Sequence, residues 1–178
     1  MRIELEKLEA GKGVFAHVYQ PEELNPVDEW VRLSQPAEVK GNIKHAGNEV
    51  FVSGHVETRV QLECDRCLKP LELPVSADFE LEYITGADYE SSSVAALSEE
   101  EMSVSVFDGQ AIDVDEIVKE QILLAVPART LCREDCKGIC PECGTDLNTS
   151  QCSCAEEEVD PRWAALKSFK NTDNPDTE

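Results

Sequence analysis

Basic residues are scarce in this sequence and are missing from one long stretch. The 178 residues include 16 Lys and Arg against 37 Asp and Glu, so the formal net charge is −21. Between Lys69 and Lys119 there is no Lys or Arg, whereas Asp and Glu occur 13 times. Because such a surface repels phosphate groups, direct binding to nucleic acid is disfavoured. The same surface would attract a basic partner, although acidic residues can also serve only solubility.

Long apolar segments are also lacking. Met1–Lys12 mixes charged and apolar residues, so we expect no secretion signal. The longest aliphatic run, Ile122–Val126, is far shorter than the ~20 residues that cross a bilayer. We therefore expect a cytoplasmic protein without membrane contact. In that reducing compartment, the eight cysteines are expected to be metal ligands and not disulfides.

Signatures of catalysis are absent from the sequence. It contains no glycine-rich phosphate loop, nucleophile elbow or pair of catalytic carboxylates. Its three histidines, His17, His45 and His55, lie far from the main cysteine cluster in sequence, whereas catalytic zinc usually has His or carboxylate ligands. We therefore predict that the protein is not an enzyme.

A long β-hairpin is the clearest structural signal. The sequence shows a period of two from Val50 to Cys64 and again from Leu71 to Tyr83, with mainly apolar residues on one face, which is typical of half-buried antiparallel strands. Cys64-Asp65-Arg66-Cys67 then lies at the hairpin tip. Gly54 indicates a bulge or a close approach of another chain segment. Residues 1–85 are predicted to form an antiparallel sheet, although the part before Val50 shows little pattern.

A covering helix completes the predicted sheet domain. We expect residues 86–103 to form an acidic mobile loop and residues 104–130 to supply a short strand and this helix. The helix is predicted from about Val114 to Ala125, with Asp113 near its start and Pro127 beyond its end. Its apolar face would cover the hairpin, so the predicted fold class is α+β.

A cysteine-rich module is predicted over residues 131–155. Cys140-Pro141-Glu142-Cys143-Gly144 has the pattern of a zinc knuckle, in which two thiolates hold one ion. A structural zinc site needs four ligands, and the second pair could be Cys152/Cys154, Cys132/Cys136 or Cys64/Cys67. We favour a zinc-ribbon-like first site that consists of Cys140, Cys143, Cys152 and Cys154. The loop between Cys143 and Cys152 is short, so closing it costs little entropy.

The remaining four cysteines allow a second zinc site. Cys64 and Cys67 could join Cys132 and Cys136, which would give two Zn²⁺ ions instead of one. Alternatively, Cys64 and Cys67 are reduced thiols without an ion. The thioredoxin motif is also Cys-x-x-Cys, but it begins a helix after a strand and does not lie in a hairpin.

The last residues predict little beyond one short element. Asp160 and Pro161 would begin a tail helix within residues 156–170, with Trp163 and Leu166 on its apolar edge. Residues 171–178 are predicted to be disordered.

Several motifs together resemble a known family. They are Leu62–Leu68, Ile112–Glu116, Cys136–Asn148 followed by Cys152-Ser153-Cys154, and Asp160–Trp163. In this order they resemble the YceD family of large ribosomal RNA subunit accumulation proteins. The resemblance implies a role in the accumulation of large-subunit (23S) ribosomal RNA, with no established reaction and no catalytic residue. The neighbourhood of the bacterial genes implies a zinc-containing large-subunit ribosomal protein as one partner.

The resemblance and the acidic composition lead to one functional hypothesis. A factor that held ribosomal RNA itself would be expected to be basic, whereas this chain is acidic. We therefore expect a non-enzymatic factor in ribosome biogenesis that works through a basic ribosomal protein or a large-subunit assembly factor. The alternatives are a zinc-stabilised regulatory module unrelated to ribosomes and, third, a thiol redox enzyme or metal-dependent nuclease.

Overall fold

A computed structural model of the chain describes residues 1–86, residues 104–154 and Arg162. The predicted acidic loop therefore lies outside the described residues except for Gly86. The predicted tail helix lies outside them except for Arg162, and so does the predicted disordered end.

The described residues form eight strands and two helices. The strands are β1 (Arg2–Glu4), β2 (Lys12–Tyr19), β3 (Arg32–Leu33), β4 (Ala37–Ala46), β5 (Glu49–Glu63), β6 (Pro70–Thr85), β7 (Val104–Phe107) and β8 (Ala111–Asp113). The helices are α1 (Pro21–Leu24) and α2 (Val114–Ala125), and a short 3-10 turn covers Leu5–Lys7. The mostly antiparallel sheet and the 12-residue helix α2 confirm the predicted α+β class.

The predicted hairpin is the centre of the main sheet. β5 and β6 pair antiparallel without interruption from Glu49↔Ile84 to Glu63↔Pro70. The face predicted to be apolar is buried, with Val52, Val56 and Val60 at most 1% exposed. The continuous register shows that Gly54 is not a bulge. It is a close-approach point, because a Cβ there would lie 2.6 Å from the Phe79 ring.

The remaining strands extend this hairpin on both sides. The order in the main sheet is β2-β4-β5-β6-β7. β3 pairs with Val60 and Gln61 of β5, past the point where the pairing of β4 with β5 stops at Glu57. The long pairing of β2 with β4 was not visible in the sequence pattern. The predicted short strand at Val104–Phe107 is β7, and it pairs parallel to β6. β1 and β8 form a separate two-stranded sheet.

Helix α2 covers the apolar face of the sheet, as predicted. It contacts β1, β5 and β6. Val114, Ile117, Val118 and Ile122 are at most 2% exposed and belong to the same core as the hairpin valines. The Asp113 carboxylate caps the helix, because it accepts a hydrogen bond of 2.9 Å from the amide of Asp115. Among the described residues, no helix is long and apolar enough to span a bilayer.

The chain divides into two compact units, which we call the sheet unit and the ribbon unit. The sheet unit comprises Met1–Cys136 and the ribbon unit Lys137–Glu178. Cys132 and Cys136, which the sequence placed in the module at residues 131–155, belong to the sheet unit. Each unit therefore contains four of the eight cysteines.

Candidate metal centres

The sheet unit brings Cys64, Cys67, Cys132 and Cys136 together at the hairpin tip. Their Sγ atoms all lie within 4.8 Å of one another. The Sγ atoms of Cys64 and Cys136 are 3.8 Å apart, and those of Cys67 and Cys132 are 3.6 Å apart. Tetrahedral zinc with Zn–S bonds of about 2.3 Å requires sulfurs about 3.8 Å apart. The four sulfurs, which we call the sheet cluster, therefore fit one tetrahedral ion.

Hydrogen bonds from the backbone and from two side chains hold the second cysteine pair of the sheet cluster against the hairpin tip. The amide of Asp65 donates to the carbonyl of Thr130 at 2.9 Å, and the amide of Thr130 donates to the Asp65 carboxylate at 2.5 Å. The Arg66 guanidinium donates to the carbonyl of Cys136, also at 2.5 Å. These bonds align residues 130–136 beside the Cys64–Cys67 turn, so the cluster is assembled by the fold itself.

Electrostatics in the sheet cluster favour a bound cation. Burial raises the pKa of the Cys64 thiol, but hydrogen bonds from the amides of Cys132, Cys67 and Arg66 outweigh it and lower this pKa to about 6. Desolvation and the neighbouring thiols of Cys67 and Cys136 raise the pKa of Cys132 to about 12. Four adjacent thiols cannot all ionise by themselves, because like charges repel. A divalent cation at their centre would remove that restriction.

The ribbon unit brings Cys140, Cys143, Cys152 and Cys154 together in a second group. Their Sγ atoms also lie within 4.8 Å of one another, and we call this group the ribbon cluster. It is framed by a β-bridge between Ile139 and Asp146. The amide of Leu147 donates to the carbonyl of Gly138 at 3.0 Å, and the amide of Lys137 donates to the Asn148 side chain at 2.8 Å.

The ribbon cluster shows the same opposing pKa shifts as the sheet cluster. The side chain and the amide of Thr145 lower the pKa of Cys143 to about 6, and the Thr145 Oγ1 atom lies 3.1 Å from the Cys143 sulfur. Hydrogen bonding with Cys143 and Cys140 raises the pKa of Cys154 to about 12. One thiol with a lowered pKa beside three further thiols is again a set of four donors that a divalent cation could bind.

The same backbone turn builds both clusters. The Leu68 amide donates to the carbonyl of Cys64, and the Gly144 amide donates to the carbonyl of Cys140, each at 2.9 Å. The fifth residue of each turn has a positive φ, 58° at Leu68 and 70° at Gly144. Glycine adopts this left-handed conformation freely, whereas for other residues it costs about 1–2 kcal/mol. Leu68 therefore occupies a position that glycine would fill without strain.

The structure groups the eight cysteines as the one set that the sequence favoured and the second set that it left open. The ribbon cluster contains the four residues of the predicted first site, and the sheet cluster contains those of the second. His55 belongs to neither cluster and contacts the carboxylates of Asp78 and Glu57. The sequence interpretation missed Trp30, which lies beside the hairpin tip and is 68% exposed. Its only signal was an isolated tryptophan in a stretch without clear periodicity.

The fold and the two clusters define a class of protein, and sequence comparison gives the family. The chain is an α+β protein with two four-cysteine groups that could each hold a metal ion. The family described as "Large ribosomal RNA subunit accumulation protein YceD" matches residues 52–170. The chain belongs to the YceD family. The match includes all eight cysteines and helix α2.

Individual relatives are similar over most of this chain. An uncharacterized protein of Mycobacterium tuberculosis is 32% identical over 124 residues, 70% of this chain and 57% of that protein. The uncharacterized protein YlbN of Bacillus subtilis is 26% identical over 161 residues, 90% of this chain and 89% of YlbN. A protein of Arabidopsis thaliana, "Large ribosomal RNA subunit accumulation protein YCED homolog 1, chloroplastic", is 23% identical over 157 residues, 76% of this chain and 49% of that protein.

The matched part of the chain thus corresponds to only about half of the mycobacterial and plant relatives. No solved structure matches the chain.

Proposed function

We propose that this protein is a non-enzymatic, zinc-binding factor in ribosome biogenesis that supports accumulation of 23S ribosomal RNA and assembly of the large subunit. The observation that carries the proposal is the match of residues 52–170 to the YceD family. Similarity to plant proteins named for large ribosomal RNA subunit accumulation supports it. The site of action that we propose is the cytoplasm.

Zinc is the ion that we propose for both clusters. All eight donors are cysteine sulfurs, and closed Cys₄ tetrahedra are typical of structural zinc. Cys64, Cys67, Cys132 and Cys136 would hold one ion, and Cys140, Cys143, Cys152 and Cys154 the other. A closed set of four thiolates leaves no open position for water, which supports a structural role and not a catalytic one.

The partner that we propose is a basic ribosomal protein or a large-subunit assembly factor. The net charge of −21 opposes direct contact with RNA phosphates and favours a cationic surface. The exposed carboxylates of Glu72, Asp78 and Glu80 on β6 contribute to this negative charge. The protein would then hold its partner in a soluble form until the partner reaches the assembling subunit.

Depletion of the protein in cells tests the proposal. Sucrose-gradient profiles, with precursor and mature large-subunit RNA quantified in each fraction, should show loss of mature large subunits while small subunits are spared. Re-expression of the wild-type chain should restore the profile, and a Cys67→Ser/Cys143→Ser chain should not. A normal profile after depletion would contradict the proposal and favour a zinc-stabilised regulatory module outside ribosome assembly.

A thiol redox enzyme, the third of the functional hypotheses, also has a structural observation in its favour. The observation in its favour is the lowered pKa, about 6, of Cys64 and Cys143. Cys64 is 0% exposed, which opposes attack on a substrate disulfide. The rate at which the zinc-loaded protein reduces a small aromatic disulfide decides between the two. Fast exchange that leaves the zinc bound would favour the redox enzyme.

A further inference from the structure

A groove lies beside the hairpin tip, wholly within the sheet unit. Its volume is about 730 Å³, and it is lined by the segment before β3, the end of β5, the Cys64–Leu68 turn and the chain that follows α2. This volume is in the range of about 300–1,000 Å³ that is common for binding pockets. Four of the apolar side chains along it are Trp30, Leu62, Leu68 and Pro70.

Two of these side chains are large, apolar and exposed. Trp30 is 68% exposed and Leu68 is 55% exposed. Neither residue belongs to the hydrophobic core of the sheet unit. Tryptophan is the residue type most enriched where protein interfaces concentrate their binding energy, and exposed apolar surface around a concave site marks an interaction surface.

The backbone of Leu68 gives a second and independent indication. Its φ of 58° is left-handed, and Gly144 makes the corresponding turn of the ribbon cluster with a φ of 70°. Because glycine forms this turn without strain, the turn itself gives no reason for a leucine. Packing within the fold gives none either, since more than half of the side chain is exposed. Leu68 therefore adopts a disfavoured backbone conformation beside the groove without a reason in the fold, which points to a contact with a ligand.

The charge around the groove identifies the kind of ligand. Its lining residues include three that are acidic, Glu29, Glu63 and Asp65, against one that is basic, Arg32. A ligand that places an apolar side chain in the groove would therefore gain most if positive charges flank that side chain. Lysine- or arginine-rich protein segments have this chemistry.

We propose that this groove binds a basic segment of a partner protein, which inserts a large apolar side chain against Trp30 and Leu68. The proposal deepens the proposed function, on which it rests for the basic nature of the partner. The groove is thereby the place at which the partner is recognised, and the wider acidic surface adds attraction at long range.

Peptide binding to the zinc-loaded full-length protein tests the groove directly. The probe is a fluorescently labelled peptide with a central Phe-Leu pair between two runs of lysine, and its affinity is measured by anisotropy. We expect Trp30→Ala and Leu68→Gly each to weaken binding by about tenfold or more. Leu124→Ala is the matched control, because Leu124 is 72% exposed on α2 and does not line the groove.

Two comparisons make the test decisive. A peptide with serines in place of the Phe-Leu pair should bind about tenfold more weakly, and equal binding would overturn the proposal because only charge would then be recognised. The melting temperature of Leu68→Gly should equal or exceed that of the wild type, since glycine relieves the left-handed strain. A clear fall would overturn the proposal by showing that Leu68 stabilises the fold.

Complementation separates this proposal from the proposed function. In depleted cells, Leu68→Gly should fail to restore large subunits although the variant is folded. Full restoration would overturn the groove as the partner site and leave the ribosomal role intact. Conversely, groove-dependent peptide binding together with a normal ribosome profile after depletion would support the groove and contradict the ribosomal role.

Discussion

Gly54 shows how one residue lets the central strands approach each other. It pairs with Gly41 on β4 and with Phe79 on β6. A Cβ at Gly54 would lie 2.6 Å from the carbonyl oxygen of Lys40 and 2.6 Å from the Phe79 ring. The backbone carbonyl cannot move away without disturbing the β4–β5 pairing, so the position requires glycine.

Gly54→Ala is therefore expected to lower the free energy of unfolding by about 1–3 kcal/mol, because the added methyl group overpacks the sheet. Urea denaturation followed by circular dichroism measures the change. Gly86→Ala is the control, since a Cβ there would lie at an ordinary distance of 3.7 Å from the Val106 side chain. Equal stabilities of the two variants would contradict the close-approach interpretation.

Two neighbouring carboxylates raise the pKa of His55 on strand β5. Its hydrogen bonds with Glu57 and Asp78, at 3.1 Å and 2.7 Å, raise its pKa above the usual 6.5. Because the folded pKa is raised, the stabilising contribution is fully present below pH 6.5 and is lost as the pH rises through the folded pKa. NMR titration of the imidazole should show a midpoint above 6.5. Glu57→Gln should move the midpoint back toward 6.5, and a wild-type midpoint at or below 6.5 would contradict the assignment.

Residue contacts also explain what the sequence could not decide about the cysteines. Spacing left the partner pair of Cys64 and Cys67 open, because the entropy of closing a loop rises only slowly with its length. In the structure, the paired hydrogen bonds between Asp65 and Thr130 bring Cys132 and Cys136 to the hairpin tip. Neither the composition nor the periodicity of the segments around Asp65 and Thr130 predicts a contact between residues so distant in the chain.

Secondary structure elements differ in how far their sequences determined them. The hairpin and α2 were predictable because their apolar periods, two and 3.6, continue over many residues. β4 was missed because its buried row, Ala37, Val39, Gly41 and Ile43, includes a glycine and so shows no continuous alternation of apolar side chains. The parallel pairing of β7 with β6 depends on nonlocal contacts and has no signature in four residues.

Metal content follows from the two cysteine clusters. Because each cluster offers four sulfurs within 4.8 Å of one another, we expect two Zn²⁺ ions per chain. Cys67→Ser should abolish the ion of the sheet cluster, and Cys143→Ser the ion of the ribbon cluster, so each variant should retain one. Native mass spectrometry measures the stoichiometry. A wild-type chain with one ion would show that one cluster consists of reduced thiols.

Removal of the metal should affect the two units differently. The core of buried apolar residues lies in the sheet unit, and the described ribbon residues contribute no member to it. We therefore expect the ribbon unit to depend on the proposed ion for stability, as small zinc modules do. A chelator should raise hydrogen exchange strongly in residues 137–154 while β5 and β6 remain protected. Unchanged exchange in 137–154 after loss of zinc would argue against a structural role of that ion.

The net charge of −21 is the property of the whole molecule that bears most on the proposed basic partner. We expect the complex with a basic partner recovered by copurification to weaken steeply as salt is raised, because the Debye length falls from ~10 Å at 0.1 M to ~3 Å at 1 M. Isothermal titration calorimetry over a salt series measures this dependence. Contacts in an apolar groove would persist at high salt, so a residual affinity that disappears in Trp30→Ala would separate the local contact from the long-range field.

The variant Glu72→Gln/Glu80→Gln/Glu82→Gln tests how much the carboxylates of β6 contribute to that charge effect. All three residues lie on β6 and face away from the core, so their neutralisation should leave the fold and the groove unchanged. The variant should bind more weakly at low salt, show a shallower salt dependence, and approach the wild-type affinity at high salt. A salt dependence identical to that of the wild type would mean that the acidic surface of β6 does not face the partner. The attraction would then have to come from other carboxylates, and those nearest the groove, Glu29 and Glu63, would be neutralised next.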